Sequence, residues 1–101
     1  MKLEFESGKI IASATEADIH KYLKGEEFTV LSAGEGTYIQ VAEQKRDPWE
    51  YILEYQEGTT DKHYRAVGKP IALERVLTAF CNYLRGDATW KSDFHWEKMK
   101  L

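Results

Sequence analysis

The chain has 101 residues, too few for two domains, and with 43% apolar and 31% charged residues it has the balance of a folded globular domain. Its 14 basic and 17 acidic residues give a net charge of −3, and the absence of a long basic run argues against nucleic-acid binding. No stretch reaches the roughly 18 uninterrupted apolar residues of a membrane span. The N-terminal stretch lacks the apolar run of a signal peptide, and the one cysteine has no partner for an internal disulfide, so we expect a cytoplasmic protein.

The first quarter of the chain predicts a short strand or hairpin followed by a helix. In residues 2–12, apolar and charged side chains alternate until a Ser-Gly break interrupts them. Thr15, with Asp18 three positions later, is typical of a capping box, and Gly25 is placed to stop the helix that follows. We therefore predict a helix over 15–24.

The middle of the chain predicts two hairpins. Strands over 28–33 and 37–43 flank a Gly-Glu-Gly turn. Strands over 51–57 and 62–67 flank a Gly-Thr-Thr-Asp loop, and Asp47-Pro48 favours a turn between the two hairpins.

The C-terminal third predicts a second helix and a closing strand. Apolar residues recur at helical spacing from Leu73 to Leu84, Gly86 is placed to end the helix, and a strand follows near 93–99. The predicted fold class is α+β: an antiparallel sheet of about five to six strands with two helices packed on one face, in a single domain spanning 1–101.

The register of the second hairpin decides which of its side chains share a face. Pairing Glu57 with Lys62 across the loop fixes that register. The remaining cross-strand pairs are then Gln56–His63, Tyr55–Tyr64 and Glu54–Arg65. Alternation turns both tyrosines towards the helices and leaves a polar patch on the other side of the sheet. The patch consists of Glu54, Gln56, His63 and Arg65, joined by Gln40 if the neighbouring strand is in phase.

This polar patch has a catalytic and a non-catalytic interpretation. A carboxylate beside an imidazole can carry out acid–base chemistry, and Arg65 could hold an anion. The same pattern is typical of a solvated antiparallel face, and a general base needs a cleft and an aligned substrate that no feature of the sequence supplies. We therefore predict that the patch contacts a protein partner and that the chain is not an enzyme.

Other chemistry-bearing residues add one further candidate. The three histidines are too dispersed for a zinc signature, so we predict neither a metal nor a cofactor. Cys81 lies among apolar residues of the second helix and is expected to be a buried, inert thiol. Trp96 is expected to pack in the core and Trp90 over the end of the second helix, whereas Trp49, in a polar loop, is the best candidate for an exposed aromatic anchor.

Two segments carry a resemblance to a known class of protein. The helix LERVLTAFCNYLRGD leads directly into TWKSDFHWEKM, so that an aromatic-x-x-Gly-Asp helix end precedes a Trp-bearing last strand. The segments YIQVA and YILEYQEGTTDKHYRAV supply the matching strand pattern. Over about 15–99, the chain resembles the small immunity proteins of bacterial polymorphic and contact-dependent toxin systems. The resemblance implies a helix-covered antiparallel sheet that neutralises a toxin by binding it. It transfers no toxin-contacting residue, because these families share no contact motif.

We therefore predict a non-enzymatic protein-binding domain, specifically an immunity protein that binds its toxin through the polar sheet face and the Trp49 loop. The acidic balance favours a basic partner. One alternative is a small-molecule or catalytic pocket between helices and sheet, lined by Tyr22, Tyr38, Tyr55 and Tyr64. A further alternative is a structural protein that self-associates, for example as a homodimer, through an exposed sheet edge.

Overall fold

The computed structural model describes residues 1–45 and 50–100, which form one antiparallel sheet of seven strands with two main helices packed against one face. The strands are β1 (Lys2–Phe5), β2 (Ile10–Ile11), β3 (Phe28–Gly34), β4 (Thr37–Gln44), β5 (Glu50–Glu57), β6 (Thr59–Val67) and β7 (His95–Lys98). The helices are α1 (Glu16–Tyr22) and α2 (Leu73–Arg85), each followed by a short 3-10 segment (Leu23–Gly25 and Ala88–Asp93). The predicted α+β class is confirmed, with seven strands instead of five to six, because the N-terminal segment forms two strands.

The strands lie in the order β2-β1-β3-β4-β5-β6-β7, and every neighbouring pair is antiparallel. Helix α1 connects β1–β2 to β3, and α2 connects β6 to β7. Every neighbouring pair except β1–β3 is therefore consecutive in strand order, and both helices contribute to one core on the same side of the sheet.

Local sequence signals set the ends of both helices. The Thr15 hydroxyl accepts a hydrogen bond from the Asp18 amide (3.2 Å), and the Asp18 carboxylate accepts one from the Thr15 amide (2.9 Å). This reciprocal pair confirms the predicted capping box. Helix α2 ends at Gly86, whose φ of +76° is the left-handed conformation that glycine adopts most easily at a helix end.

The core lies between the helices and one face of the sheet. Leu31, Ile39 and Leu53 from the central strands are fully buried, as are Ile19 of α1 and Phe80 of α2. Alternate residues of every central strand point to this side, which is the period-two pattern of a sheet buried on one face.

An aromatic cluster closes the core at the β5–β7 side. The ring of Tyr55 stacks on that of Tyr64 (centroids 5.0 Å apart) and meets Trp90 and Trp96 edge-on at 4.8 and 4.7 Å. The indole N–H of Trp96 donates to the carbonyl oxygen of Lys91 (2.9 Å). These contacts confirm that both tyrosines face the helices and that Trp96 packs against the core. Trp90 lies over the end of α2 as predicted, with its ring 5.6 Å from that of Tyr83, and it is buried there as part of the core.

Alkaline titration provides a test of this cluster. Burial, with a smaller contribution from the Glu57 carboxylate, raises the pKa of Tyr55 and of Tyr83 from 10.0 to about 12. The folded state therefore retains these phenolic protons more strongly than the unfolded state, so their contribution to stability is complete below pH 10 and is lost as the pH rises to about 12. We expect the tyrosinate absorbance of these two residues to appear in this pH window, together with loss of the circular dichroism signal of the folded chain. In Tyr83→Phe, the free energy of unfolding should fall less steeply with pH. Ionisation of both tyrosines in this window without unfolding would contradict the expectation.

One core residue carries an unpaired polar atom. Thr29 of β3 is fully buried, and its hydroxyl has no hydrogen-bond partner among the described residues. Because an unsatisfied buried hydroxyl is destabilising and valine has the same shape, we expect Thr29→Val to raise the free energy of unfolding by about 1 kcal/mol. Urea denaturation measures the change. The control Thr59→Val, at an exposed position of β6, should change stability by less than about 0.5 kcal/mol, and an equal gain at both sites would show that burial is not the cause.

Candidate functional site

The side chains that point away from the helices form what we call the open face of the sheet. Both helices contribute to the core on the other side of the sheet. Its centre is built by neighbouring strands in register: Tyr38 of β4 lies beside Gln56 of β5, which lies beside His63 of β6. The adjacent row places Gln40 beside Glu54 and Glu54 beside Arg65. Antiparallel pairing therefore brings together residues up to 25 positions apart.

Five of these side chains form a continuous hydrogen-bonded group, which we call the polar network: Tyr38, Gln40, Glu54, Gln56 and His63. The His63 Nδ1 atom lies 3.0 Å from Gln56 Oε1, and its Nε2 atom lies 2.6 Å from Glu54 Oε1. The Tyr38 hydroxyl donates to Gln56 Oε1 (3.3 Å), and the Gln40 amide donates to Glu54 Oε1 (3.3 Å). His63 is only 3% exposed and Gln56 7%, so the network is largely shielded from water although it lies on the open face.

The orientation of the Gln56 amide fixes the protons in this network. Its Nε2 group donates to the backbone carbonyl of Gly36 (3.0 Å), so its Oε1 atom must face His63 and Tyr38 as an acceptor. Burial and the nearby Glu54 carboxylate raise the pKa of Tyr38, which keeps its hydroxyl protonated as a donor. The Nδ1 atom of His63 must therefore carry a hydrogen.

This assignment determines what His63 can do chemically. With Nδ1 as a donor, the 2.6 Å contact between Nε2 and the Glu54 carboxylate requires a proton between those two atoms. Both ring nitrogens are then occupied, and the ring is almost completely buried. Neither nitrogen offers a lone pair to a substrate, so the geometry suits a rigid structural unit better than a general base.

The predicted register of the β5–β6 hairpin is correct except at its tip. The pairs Gln56–His63, Tyr55–Tyr64 and Glu54–Arg65 are confirmed. The predicted pair Glu57–Lys62 is wrong, because Glu57 pairs with Thr59. The turn is made at Gly58, whose φ is +86°, and residues 60–62 are accommodated by a register shift in β6.

Glu54 and Arg65 are cross-strand neighbours but form no ion pair among the described residues. The Glu54 carboxylate instead turns diagonally to His63 and accepts from Gln40. Of the four described residues predicted to bind a partner, Glu54, Gln56 and His63 therefore join one network, and Arg65 lies beside it. Trp49, the fifth, lies outside the described residues.

Sequence reasoning missed two members of this arrangement. It placed Tyr38 in a pocket with other tyrosines, but Tyr38 lies on the open face whereas Tyr55 and Tyr64 lie in the core. The backbone of Gly36, which orients Gln56, was also missed. The alternation that assigned Gln40 to the open face also applies to Tyr38, two positions earlier in β4, and could have identified it.

An apolar stripe borders the polar network on the open face. Phe28 of β3 lies beside Ala42 of β4, which lies beside Ile52 of β5, and Val30 lies in the next row. All four are partly exposed. A solvent-facing sheet surface is usually polar, so a run of partly exposed apolar side chains next to a rigid polar group is typical of an interaction surface.

Cys81 is a poor candidate for catalysis. It is 5% exposed, and burial raises the pKa of its thiol, which disfavours the reactive thiolate. Its sulfur lies 3.7 Å from Nε2 of His20. Within residues 1–45 and 50–100, no group of three or more His, Cys, Asp or Glu side chains is arranged to hold a metal ion. The helices of this part of the chain are also too short or too polar to span a membrane.

Comparison with known proteins gives no independent assignment for this site. No protein-family model, curated protein sequence or solved structure matches the chain.

Proposed function

We propose that this chain is a non-enzymatic protein-binding domain and, within that class, a cytoplasmic immunity protein that neutralises a bacterial toxin by binding it. The observation that carries the proposal is the open face, where the rigid polar network lies beside the apolar stripe of Phe28, Val30, Ala42 and Ile52. Apolar area supplies affinity in such a surface, and fixed polar groups supply specificity.

The rigidity of the polar network supports binding as its role. Side chains that are already held by hydrogen bonds lose little conformational freedom when a partner docks, which reduces the entropic cost of association. His63 and Gln56 are each held by at least two hydrogen bonds. The occupied nitrogens of His63 weigh against the catalytic alternative.

The assignment to immunity proteins rests on the resemblance of the helix-to-last-strand segment and of the β4–β6 strand pattern. An immunity protein acts where the toxin would harm the cell that makes it, so the proposal includes a cytoplasmic location in a bacterium. The net charge of −3 favours a toxin with a basic surface, because long-range attraction speeds association.

A binding experiment with one substitution on each side of the sheet tests the proposal. The probes are toxin domains encoded beside the gene for this chain, and affinity is measured by calorimetry. Ala42→Arg places a long cation in the apolar stripe and should weaken binding by about 100-fold, the loss expected at the centre of an interface. Thr78→Arg, an exposed position of α2 on the opposite side, should leave affinity unchanged.

Both variants alter partly or fully exposed side chains, so circular dichroism and urea denaturation should find them folded with stability close to that of the parent. If no neighbouring toxin domain binds the parent chain, the immunity function is wrong. If a toxin binds but Thr78→Arg abolishes the complex and Ala42→Arg does not, the helical side is the interface and the open face is excluded.

A further inference from the structure

The sheet opens locally between β5 and β6. The ladder between these strands ends at the pair Glu54–Arg65, although both strands continue beyond it. After β6 the chain loops outward, and Ile71 returns to form a single bridge with Tyr51 of β5. Between the Glu54–Arg65 pair and this bridge lies a groove of about 650 Å³, which we call the β5–β6 groove.

Apolar side chains line part of the groove. Ile52 and Val67 lie on facing strands where the ladder is open, and Met99 lies beside them just after β7. Val67 is 41% exposed, which is unusual for a valine in a strand. The backbone amide of Met99 donates to the carbonyl oxygen of His63 (2.9 Å), which holds the chain against β6 at this wall. Part of the apolar surface that lines the groove is therefore left exposed by the described side chains.

The groove also concentrates positive charge. Four cationic side chains line it, together with two carboxylates: Arg65, Lys69, Lys98 and Lys100, with Glu50 and Glu97. None of the four cations takes part in the ion pairs formed among the described residues. Arg65 has a cross-strand carboxylate on each side: Glu54 is held by His63, and Glu97 of β7 forms no ion pair with Arg65 among the described residues. This local excess of cations contrasts with the net charge of −3 of the chain.

We propose that the β5–β6 groove binds a small amphipathic anion, a carboxylate carried on a short apolar stem. The volume lies within the range of about 300–1,000 Å³ found for small-molecule sites. The planar guanidinium of Arg65 suits a carboxylate, because it can donate two parallel hydrogen bonds. The stem would lie along Ile52, Val67 and Met99, where removal of apolar surface from water favours binding. The groove borders the open face and shares Ile52 with the apolar stripe and Arg65 with the predicted partner-binding residues, but small-molecule binding there does not depend on the toxin-binding role.

Nuclear magnetic resonance titration of the whole chain with octanoate tests the proposal. We expect shift changes concentrated at Ile52, Arg65 and Val67. Octanol has the same apolar stem without the charge, and it should bind about tenfold more weakly than octanoate. A tenfold loss is what the removal of one charge-assisted hydrogen bond is expected to cause. Arg65→Gln should lower octanoate affinity by a similar factor and leave octanol affinity unchanged. Lys24→Gln, which removes an exposed cation outside the groove, is the matched control and should change neither.

Lys69→Gln provides a second variant in the loop after β6, so that the test does not depend on a strand residue. Three results would overturn the proposal. The first is that shift changes are absent or scattered over the chain, and the second is that octanoate and octanol bind equally well. The third is that octanoate affinity is unchanged in both Arg65→Gln and Lys69→Gln.

Titration with a capped Leu-Glu-Leu peptide is the second part of the experiment. If the peptide binds the groove and octanoate does not, the ligand is the acidic side chain of a protein and the small-molecule assignment is wrong.

The outcome is distinguishable from that of the proposed function. Phe28→Arg alters the apolar stripe on β3, two strands away from Ile52 and outside the groove, and should leave octanoate binding unchanged. If octanoate binds but no toxin domain does, the groove proposal is supported and the immunity role is refuted. If a toxin domain binds but octanoate does not, the immunity role is supported and the groove proposal is refuted.

Discussion

Replacement of Gly36 with alanine is expected to destabilise the fold and to release the polar network. Gly36 has a φ of +75°, and a Cβ atom on it would overlap the backbone carbonyl of Gly58 in the neighbouring hairpin. The backbone amide of Gly58 also donates to the Gly36 carbonyl (3.0 Å), so the two turns are locked together. Because the left-handed conformation and the overlap both penalise alanine, we expect the free energy of unfolding to fall by about 2–4 kcal/mol.

The same substitution should affect the polar network on the open face through one hydrogen bond. The Gly36 carbonyl accepts from the Gln56 amide, so displacement of the turn frees Gln56 to rotate away from His63. Urea denaturation measures the stability loss, and the imidazole nitrogen resonances of His63 report the released contact. Gly34→Ala is the matched control, because Gly34 lies in the same turn with an ordinary φ and open space around it. Similar losses in both variants would show that the turn as a whole, and not the contact with Gly58, is responsible.

Phe80→Ala is expected to cause a comparable or larger loss of stability. Among the residues that the structure describes, Phe80 is the largest fully buried side chain, and it belongs to the core between α2 and the sheet. Removal of its ring sacrifices buried apolar area and leaves a cavity, which in comparable cores costs about 3–5 kcal/mol. Since a domain of this size has a total stability of roughly 5–15 kcal/mol, we expect a large fall in the denaturation midpoint.

Thr78→Ala controls for the effect of a substitution in α2. Thr78 is exposed two positions away, and its hydroxyl bonds only to the Glu74 carbonyl in the preceding turn. Alanine is the better helix former, so stability should change by less than about 0.5 kcal/mol. A loss below about 1 kcal/mol for Phe80→Ala would mean that the core refills the space, and it would contradict the close packing inferred around the ring.

Signals that act over a few residues made much of the fold predictable. Thr15 and Asp18 specify the start of α1, and Gly86 specifies the end of α2, because caps depend on side chains and backbone angles within one turn. The pairing of Tyr55 with Tyr64 was predictable for a related reason, since a short connection leaves few registers that keep both rings in the core.

The arrangement of the candidate site depends on pairing between strands that are farther apart in the sequence than a helix cap or a short turn. The contact between Tyr38 and Gln56 requires the register of β4 against β5, which the sequence between these two strands does not specify. The β5–β6 groove depends on where a backbone ladder stops. The Gly68 to Pro70 stretch predicts a loop, but not that Ile71 returns to bridge Tyr51. Both features arise from packing of the whole sheet.

The strand order has a consequence for the sequence of events in folding. From β3 to β6, each strand pairs with the strand that directly precedes it in the chain, so the centre of the sheet can assemble by successive short loop closures. The pairing of β7 with β6 spans α2 and closes a longer loop. The rows that carry Tyr38, Gln56 and His63 need only β4, β5 and β6, so the polar network can be aligned before the final strand docks.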